Sequence, residues 1–289
     1  MYASDAGQAI TAATDALRAA GIEDPRLDAE LLLAEAVGCD RAALIADREA
    51  AVSPAAARAF AEMVRRRLRR EPVAYILGRR GFRNLEIAVD RRVLIPRPET
   101  ELLVEIALEQ RPASVLDVGT GSGAIALAIA DELPGCAVTA TDTSAEALAV
   151  ARANAERLGL GDRVRFQAGS VPAEGGFDLV LANLPYVAES EWRSLQPEVT
   201  QWEPREALLA GPDGLDAYRV LFGDPESGPK PGSVLPLYPS GLQREYAVAV
   251  EVGEGQAAAV AGMMGAAGFT AIETRRDLAG IERVVRGER

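Results

Sequence analysis

Three features of the 289-residue sequence predict an α/β protein with a doubly wound, mostly parallel sheet, preceded by a small helical domain and a β-hairpin linker. From Glu99 onward, short apolar runs alternate with segments of helical length, as strands do when helices cover both faces of a parallel sheet. A glycine-rich stretch, "VLDVGTGSGAIALA" at 115–128, reads as a strand, a tight turn and a helix. The apolar period is three to four residues up to about residue 70, and changes to two between Phe82 and Pro96. The expected boundaries are therefore 1–75 for the helical domain, 76–98 for the hairpin linker and 99–289 for the α/β domain.

In the first part, "DAGQAITAATDALRAAG" sets Ile10, Ala13, Leu17 and Ala20 on one helix face and stops at Gly21. "DPRLDAELLLAEAVG" starts with Pro25 in its first turn, carries Leu27, Leu31, Leu32 and Ala34, and ends at Gly38. A short helix is expected over Arg41–Asp47. A fourth has Ser53 as N-cap and Pro54 in its first turn, and closes before Pro72. "FRNLEIAVDRRVLIP" predicts a hairpin turning near Asp90-Arg91-Arg92. Helix "TELLVEIALEQ", strand "SVLDVG", helix "SGAIALAIADEL", strand "AVTATD", helix "SAEALAVARANAERLG" and strands "RVRFQAG" and "FDLVLAN" follow. Five prolines within 220–246 exclude an ordinary helix there; an irregular loop is expected, with the sheet resuming at "EYAVAVEV".

Composition narrows the function classes. No histidine is present, which removes Ser-His-Asp and Cys-His catalysis and histidine metal sites, so no metal is expected. The two cysteines, Cys39 and Cys136, imply no disulfide framework, and no apolar run reaches the length of a membrane span. "MYASDAGQAI" lacks the pattern of a signal peptide, and a cytoplasmic location is expected. A net charge of −12 argues against a protein that neutralises many phosphates, so direct nucleic-acid binding is not expected. Residues 61–92 nevertheless hold ten arginines against four acids. They read either as a solvated helix face or as a patch that meets an acidic partner.

In the turn Gly119-Thr120-Gly121-Ser122-Gly123 the glycines let backbone approach a ligand, and the helix behind favours negative charge. Asp142 ends the next strand, about 20 residues on, where a carboxylate accepts from ribose hydroxyls. A purely structural turn, and an N-cap role for Asp142, are the alternatives. Together the two features favour a nucleoside cofactor. The pattern Asp-x-Gly-x-Gly-x-Gly with a second acid resembles the class I methyltransferases that bind S-adenosyl-L-methionine. That resemblance implies Asp117 near the methionine end, Asp142 on the ribose and Gly169-Ser170-Val171 near adenine. Ser170 stands where many members carry an acid.

"DLVLANLPYV" then ends a strand with Asn183, Leu184, Pro185 and Tyr186. An amide nitrogen is a poor nucleophile, and acceptors for its N–H groups aim its lone pair and stabilise developing positive charge. The Asn183 side-chain oxygen and the Leu184 carbonyl would supply them, Pro185 would stiffen the turn and Tyr186 would stack on the flat group. Asn183 also borders the expected cofactor site. Asn-Pro-Pro-Tyr is the pattern of methyltransferases acting on adenine N6 or glutamine N5; here Leu184 replaces the first proline.

"EPVAYILGRRGFRNLEIAVDRRVLIPRPETELLVE" (71–105), "QPEVTQWEPREALLAGPDGLDAYR" (196–219), "EVGEGQ" (251–256) and "DLAGIERVV" (277–285) resemble the release factor glutamine methyltransferases, the HemK/PrmC family. The resemblance covers nearly the whole chain. It implies methyl transfer to the side-chain nitrogen (N5) of the glutamine in the Gly-Gly-Gln motif of class 1 peptide chain release factors, and a helical domain that docks that partner. The alternatives are an adenine-N6 nucleic-acid methyltransferase and an inactive paralogue that binds cofactor or partner.

Overall fold

A computed structural model describes residues 5–172, 176–223 and 246–289. They form two compact units, one comprising the chain up to Arg79 with Gln196–Trp202, the other Arg80–Leu195 with Glu203–Arg289.

The first unit is helical. Helix α1 (Ala6–Ala19) is capped by the Asp5 carboxylate, which accepts from Gln8 N at 2.7 Å. Helix α2 (Pro25–Val37) ends at Gly38 in the left-handed conformation. Asp40 caps α3 (Arg41–Ala46) and Ser53 caps α4 (Pro54–Leu68). The helical pattern reads as ending before Pro72, yet a short fifth helix, α5 (Val73–Leu77), follows. Its local propensity is poor, and burial of Tyr75 and Ile76 favours it instead. Leu17, Leu32, Leu33, Leu44 and Phe60 form the core of this unit.

Arg67 is buried within it, donating to Asp28 Oδ2 and to Glu198 Oε1, each at 2.7 Å; Arg70 donates to the other Glu198 oxygen at 2.7 Å. A segment some 130 positions away in sequence is thereby tied to α4 by charge. The arginine-rich stretch is accordingly not a plain solvated face. Arg65, Arg66, Arg67, Arg70, Arg79, Arg83 and Arg92 each pair with a carboxylate of this chain.

The second unit opens with a hairpin of β1 (Arg79–Phe82) and β2 (Leu85–Ala88). The hairpin turn lies at Arg83-Asn84, not at 90–92, where a turn closed by Val93 N donating to the Asp90 carbonyl at 3.1 Å follows β2 without joining two strands. Arg83 adopts φ 52°, a region costly for a residue with a Cβ. Tertiary contacts hold it there: its N–H donates to Glu101 Oε1 at 2.9 Å and its guanidinium to both Glu132 oxygens at 2.9 and 2.7 Å. Asn84, a residue that favours turns, is the one local mark of it.

A single 3₁₀ turn, Pro98–Thr100, leads into α6 (Glu101–Gln110). The alternation follows as expected: β3 (Ser114–Val118), α7 (Ala124–Glu132), β4 (Ala137–Asp142), α8 (Ala145–Arg157), β5 (Val164–Ala168) and β6 (Leu179–Ala182). After α9 (Pro197–Trp202), which belongs to the helical unit, come α10 (Asp216–Phe222), β7 (Ala247–Glu251), α11 (Ala257–Ala266), β8 (Thr270–Arg276) and β9 (Glu282–Glu288). The strand order in the seven-stranded sheet is β5-β4-β3-β6-β7-β9-β8. Strands β3 to β7 are parallel and β9 runs antiparallel between β7 and β8, so the sheet is mostly parallel and doubly wound. Every residue of β6 and β7 is buried, which explains their unbroken apolar composition. The strand expected at "EYAVAVEV" is β7; the proline-rich loop expected within 220–246 falls at 224–245, outside the described residues.

Removing one partner of a buried ion pair leaves a charge stranded. Glu198→Ala is therefore expected to destabilise the helical unit by about 3–5 kcal/mol. Urea unfolding with hydrogen exchange at α2 and α4 amides measures this, and a loss under about 1 kcal/mol would contradict the burial of that network.

Candidate active site

The chain builds β3, β4 and β5 outward in one direction, then returns to place β6 on the other side of β3. Ligands of open α/β sheets bind at the carboxyl ends of strands where the order reverses. Here that point lies between β3 and β6, paired in register from Val115–Leu179 to Val118–Ala182. The glycine turn leaves β3 and the Asn183–Tyr186 tetrapeptide leaves β6, side by side.

Sterics fix the glycines. Gly119 has φ 73°, and a Cβ there would lie 3.2 Å from Leu184 Cδ2. Gly123 has φ 87°, and a Cβ would meet Leu127 Cδ1 at 3.0 Å and Ala151 Cβ at 3.2 Å. The Gly119 and Thr120 N–H groups both donate to the Thr141 carbonyl at 2.9 Å, which ties the turn to β4.

Two acids organise the turn differently. Asp117 is fully buried; its Oδ2 accepts from Thr120 Oγ1 at 2.6 Å and Ala126 N at 3.2 Å, while Oδ1 has no partner. Burial pushes its carboxyl up to about 7, and the Asp142 charge adds to the rise. Asp142 accepts from Gly121 N at 2.9 Å through one oxygen and from Ser144 N at 2.8 Å through the other. Burial raises its carboxyl too, against those backbone bonds.

A cavity of about 860 Å³ opens over this edge of the sheet. Gly119, Gly121, Asp142, Ser170, Asn183, Leu184 and Pro185 lie in its wall. Asp117, Thr120, Ser122, Gly123, Val171 and Tyr186 do not. Thr120 bonds Asp117, the Ser122 carbonyl accepts from Asn154 Nδ2 at 3.0 Å, and Val171 packs in the core. The wall also takes in Val93 and Leu94 after the hairpin and Ala217 and Val220 of α10; the first three lie in the stretches 71–105 and 196–219 that carry the family resemblance.

Asn183 Nδ2 donates to Thr100 Oγ1 at 2.9 Å, which commits the nitrogen end of the amide and leaves its oxygen as the free acceptor. The Leu184 side chain is buried in the core with Tyr218 and Leu221, so the residue that replaces proline is an apolar anchor. Tyr186 is clamped from behind: its carbonyl accepts from Gln256 Nε2 at 2.9 Å, and Gln256 Oε1 accepts from Gly253 N at 2.9 Å. At Gly214 a Cβ would collide with the Tyr186 carbonyl, and at Gly253 it would lie 3.2 Å from the Tyr186 ring. Burial pushes the Tyr186 phenol up to about 12, so it stays protonated. Gln256, Gly214 and Gly253 are site residues that spacing alone does not reveal. Their only sequence signal is membership of "EVGEGQ" and "PDGLD". The arrangement offers acceptors and a positioned cradle rather than a strong base.

A seven-stranded sheet of this order with a glycine turn at its switch point defines a class I methyltransferase. Residues 8–78 match the PrmC N-terminal domain and residues 98–199 the methyltransferase small domain. The chain is 42% identical over 272 residues to the release factor glutamine methyltransferase of Geobacter sulfurreducens, spanning 92% of this chain and 90% of that one. It is also 42% identical over 287 residues to that of Caulobacter vibrioides, spanning 97% and 95%. The chain belongs to the release factor glutamine methyltransferase family. Among solved structures, the catalytic domain of human hMettl16, in complex with a MAT2A 3'UTR hairpin, shares the fold at 16% identity and a TM-score of 0.50, over 70% of this chain and 74% of that one.

The Asp117 carboxyl makes the stability of the fold depend on pH. Its folded value, about 7, lies above the unfolded value, so the folded protein keeps a proton that the unfolded chain has released. The associated stability is present below about pH 4 and is lost as pH rises to about 7. Urea unfolding of the ligand-free protein should show this decline, and Asp117→Asn should lack this part of it. Equal slopes in the two proteins would contradict the burial argument.

Proposed function

We propose that this protein transfers a methyl group from S-adenosyl-L-methionine to the side-chain amide nitrogen of the glutamine in the Gly-Gly-Gln motif of class 1 peptide chain release factors. The orientation of Asn183 carries the reading: with its nitrogen committed to Thr100, its oxygen is an acceptor for an amide N–H. The site fits the cofactor. The glycine cradle leaves no room for side chains at 119 and 123, Asp117 holds a partnerless buried oxygen, and Asp142 lies in the cavity wall with its carboxylate held by backbone N–H groups. Asp142 would take the ribose hydroxyls, Gly169-Ser170-Val171 the adenine side, and the glycine turn with Asp117 the cationic methionine end.

When bound, S-adenosyl-L-methionine supplies a methyl group already activated on a sulfonium centre, so the protein needs no strong base. Asn183 Oδ1 and the Leu184 carbonyl would accept the two amide N–H groups, aim the nitrogen lone pair and stabilise positive charge forming on it. The Leu184 acceptor is backbone, so the change from proline preserves it. Pro185 limits the turn, and the Tyr186 ring, held by Gln256, would cover the flat amide. Water carries away the proton once the nitrogen is alkylated. The net charge of −12 supports a protein rather than a nucleic-acid substrate. The helical unit would dock the release factor. Among the described residues no helix is long and apolar enough to cross a membrane, and the proposed substrate places the work in the cytoplasm.

Single-turnover transfer from labelled cofactor to unmodified release factor, with peptide mass spectrometry, tests the reading. Label is expected on the Gly-Gly-Gln glutamine, and Asn183→Ala should cut the rate by about 10²–10³. Label on adenine-containing nucleic acid, or cofactor binding without transfer, would overturn it. Cofactor binding should also tighten as pH rises toward about 7, because an ionised Asp117 behind the glycine turn favours a cation over that turn. Calorimetry in two buffers of different ionisation heat should show proton release in the wild type and its loss in Asp117→Asn.

A further inference from the structure

Behind the tetrapeptide stand buried polar groups that the methyl-transfer reading leaves without a task. Thr100, at the end of the 3₁₀ turn, is 4% exposed, and Glu251, the last residue of β7, is 2% exposed. The Thr100 hydroxyl accepts from Asn183 Nδ2 at 2.9 Å, and its interaction with the neighbouring Glu251 carboxyl holds that group down against the effect of burial. Glu251 Oε2 has no partner, and the Tyr218 phenol donates to the Glu251 backbone carbonyl at 2.6 Å, fixing where β7 ends.

A hydroxyl has one hydrogen. An ionised Glu251 only accepts, so it takes that hydrogen and leaves the Thr100 oxygen with lone pairs alone. Those accept from an N–H and repel a carbonyl oxygen, so only the nitrogen end of the Asn183 amide fits against Thr100. The two ends of an amide are nearly equal in size, and packing alone would not choose between them. We infer that Thr100 and Glu251 are positioning residues that set the orientation of the Asn183 amide, presenting its oxygen rather than its nitrogen to the substrate amide. The inference rests on the role of Asn183 in the proposed reaction.

A protonated Glu251 reverses the logic. It donates its own hydrogen to Thr100, frees the Thr100 hydrogen for Asn183 Oδ1, and lets the amide turn over. The nitrogen then faces the substrate, donor against donor. The charged groups that bear on Glu251 are Glu99 in the 3₁₀ turn, Arg97 before it and Arg283 on β9; the neutral phenols of Tyr186 and Tyr218 also lie close. Burial and Glu99 raise its carboxyl to about 7, against Arg283 and Arg97, so the turnover rate should fall as pH drops through that value.

Full-length Thr100→Val, Thr100→Ser and Glu251→Gln variants test this with two readouts. In the substrate-free protein, the side-chain amide signals of Asn183, assigned by their absence in Asn183→Ala, should show one proton protected from exchange. That protection should vanish in Thr100→Val and persist in Thr100→Ser. In turnover with release factor, Thr100→Val should lower kcat by about 10- to 100-fold with KM for the cofactor within about twofold, and Thr100→Ser should restore most of it. Glu251→Gln, which does not titrate, should lose the fall of kcat on the acid side of about pH 7. Protection that survives Thr100→Val, or a loss as large in Thr100→Ser as in Thr100→Val, overturns the inference. A wild-type protein that methylates no glutamine would instead sink the proposed reaction, and the exchange measurement would still decide the orientation.

Discussion

The parallel pairing of β3 with β6 sets the conditions for everything at the site. Because the strands run side by side in the same direction, their following loops leave the sheet at one edge and must share its space. Gly119 is where that crowding is resolved: without a Cβ, the first loop passes within van der Waals reach of the Leu184 side chain. Leu184 in turn is anchored in the core under α10 and α11. The cradle and the tetrapeptide are therefore one packed object, and a change in either is felt by the other.

Charge is handled by sequestering it. Asp117 and Glu251 are nearly dry, each with an oxygen that lacks a partner, an arrangement that costs free energy in the empty protein. Such groups are kept where a ligand or a proton compensates them. Asp117 backs the glycine turn through Thr120 and Ala126, and Glu251 backs the tetrapeptide through Thr100. In a chain without histidine, orientation of acceptors takes the place of a base.

The arginines follow the same principle. Glu198 draws Arg67 and Arg70 into one buried network, Glu132 holds Arg83 in its unfavourable turn, and Glu203 receives both the Arg97 guanidinium and the Ile95 N–H. Much of the local positive charge is thus neutralised by carboxylates far along the chain, which weakens a reading of that stretch as a free basic patch.

Local sequence determined what depends on short-range physics. Alternating apolar runs and helical segments gave the order of strands and helices through β6, because a strand buried on both faces has little choice of composition. The glycine turn, Asp142 and the tetrapeptide were legible for a related reason: backbone that bends sharply at a strand end needs glycine or proline. Tertiary structure decided the rest. The hairpin turn at Arg83 is set by Glu101 and Glu132, and α5 by burial. The partners of Asn183 and Tyr186, Thr100 and Gln256, come from elements 83 and 70 residues away, brought together by the sheet order. Such contacts are pairings between distant segments, and a single sequence carries no local mark of them.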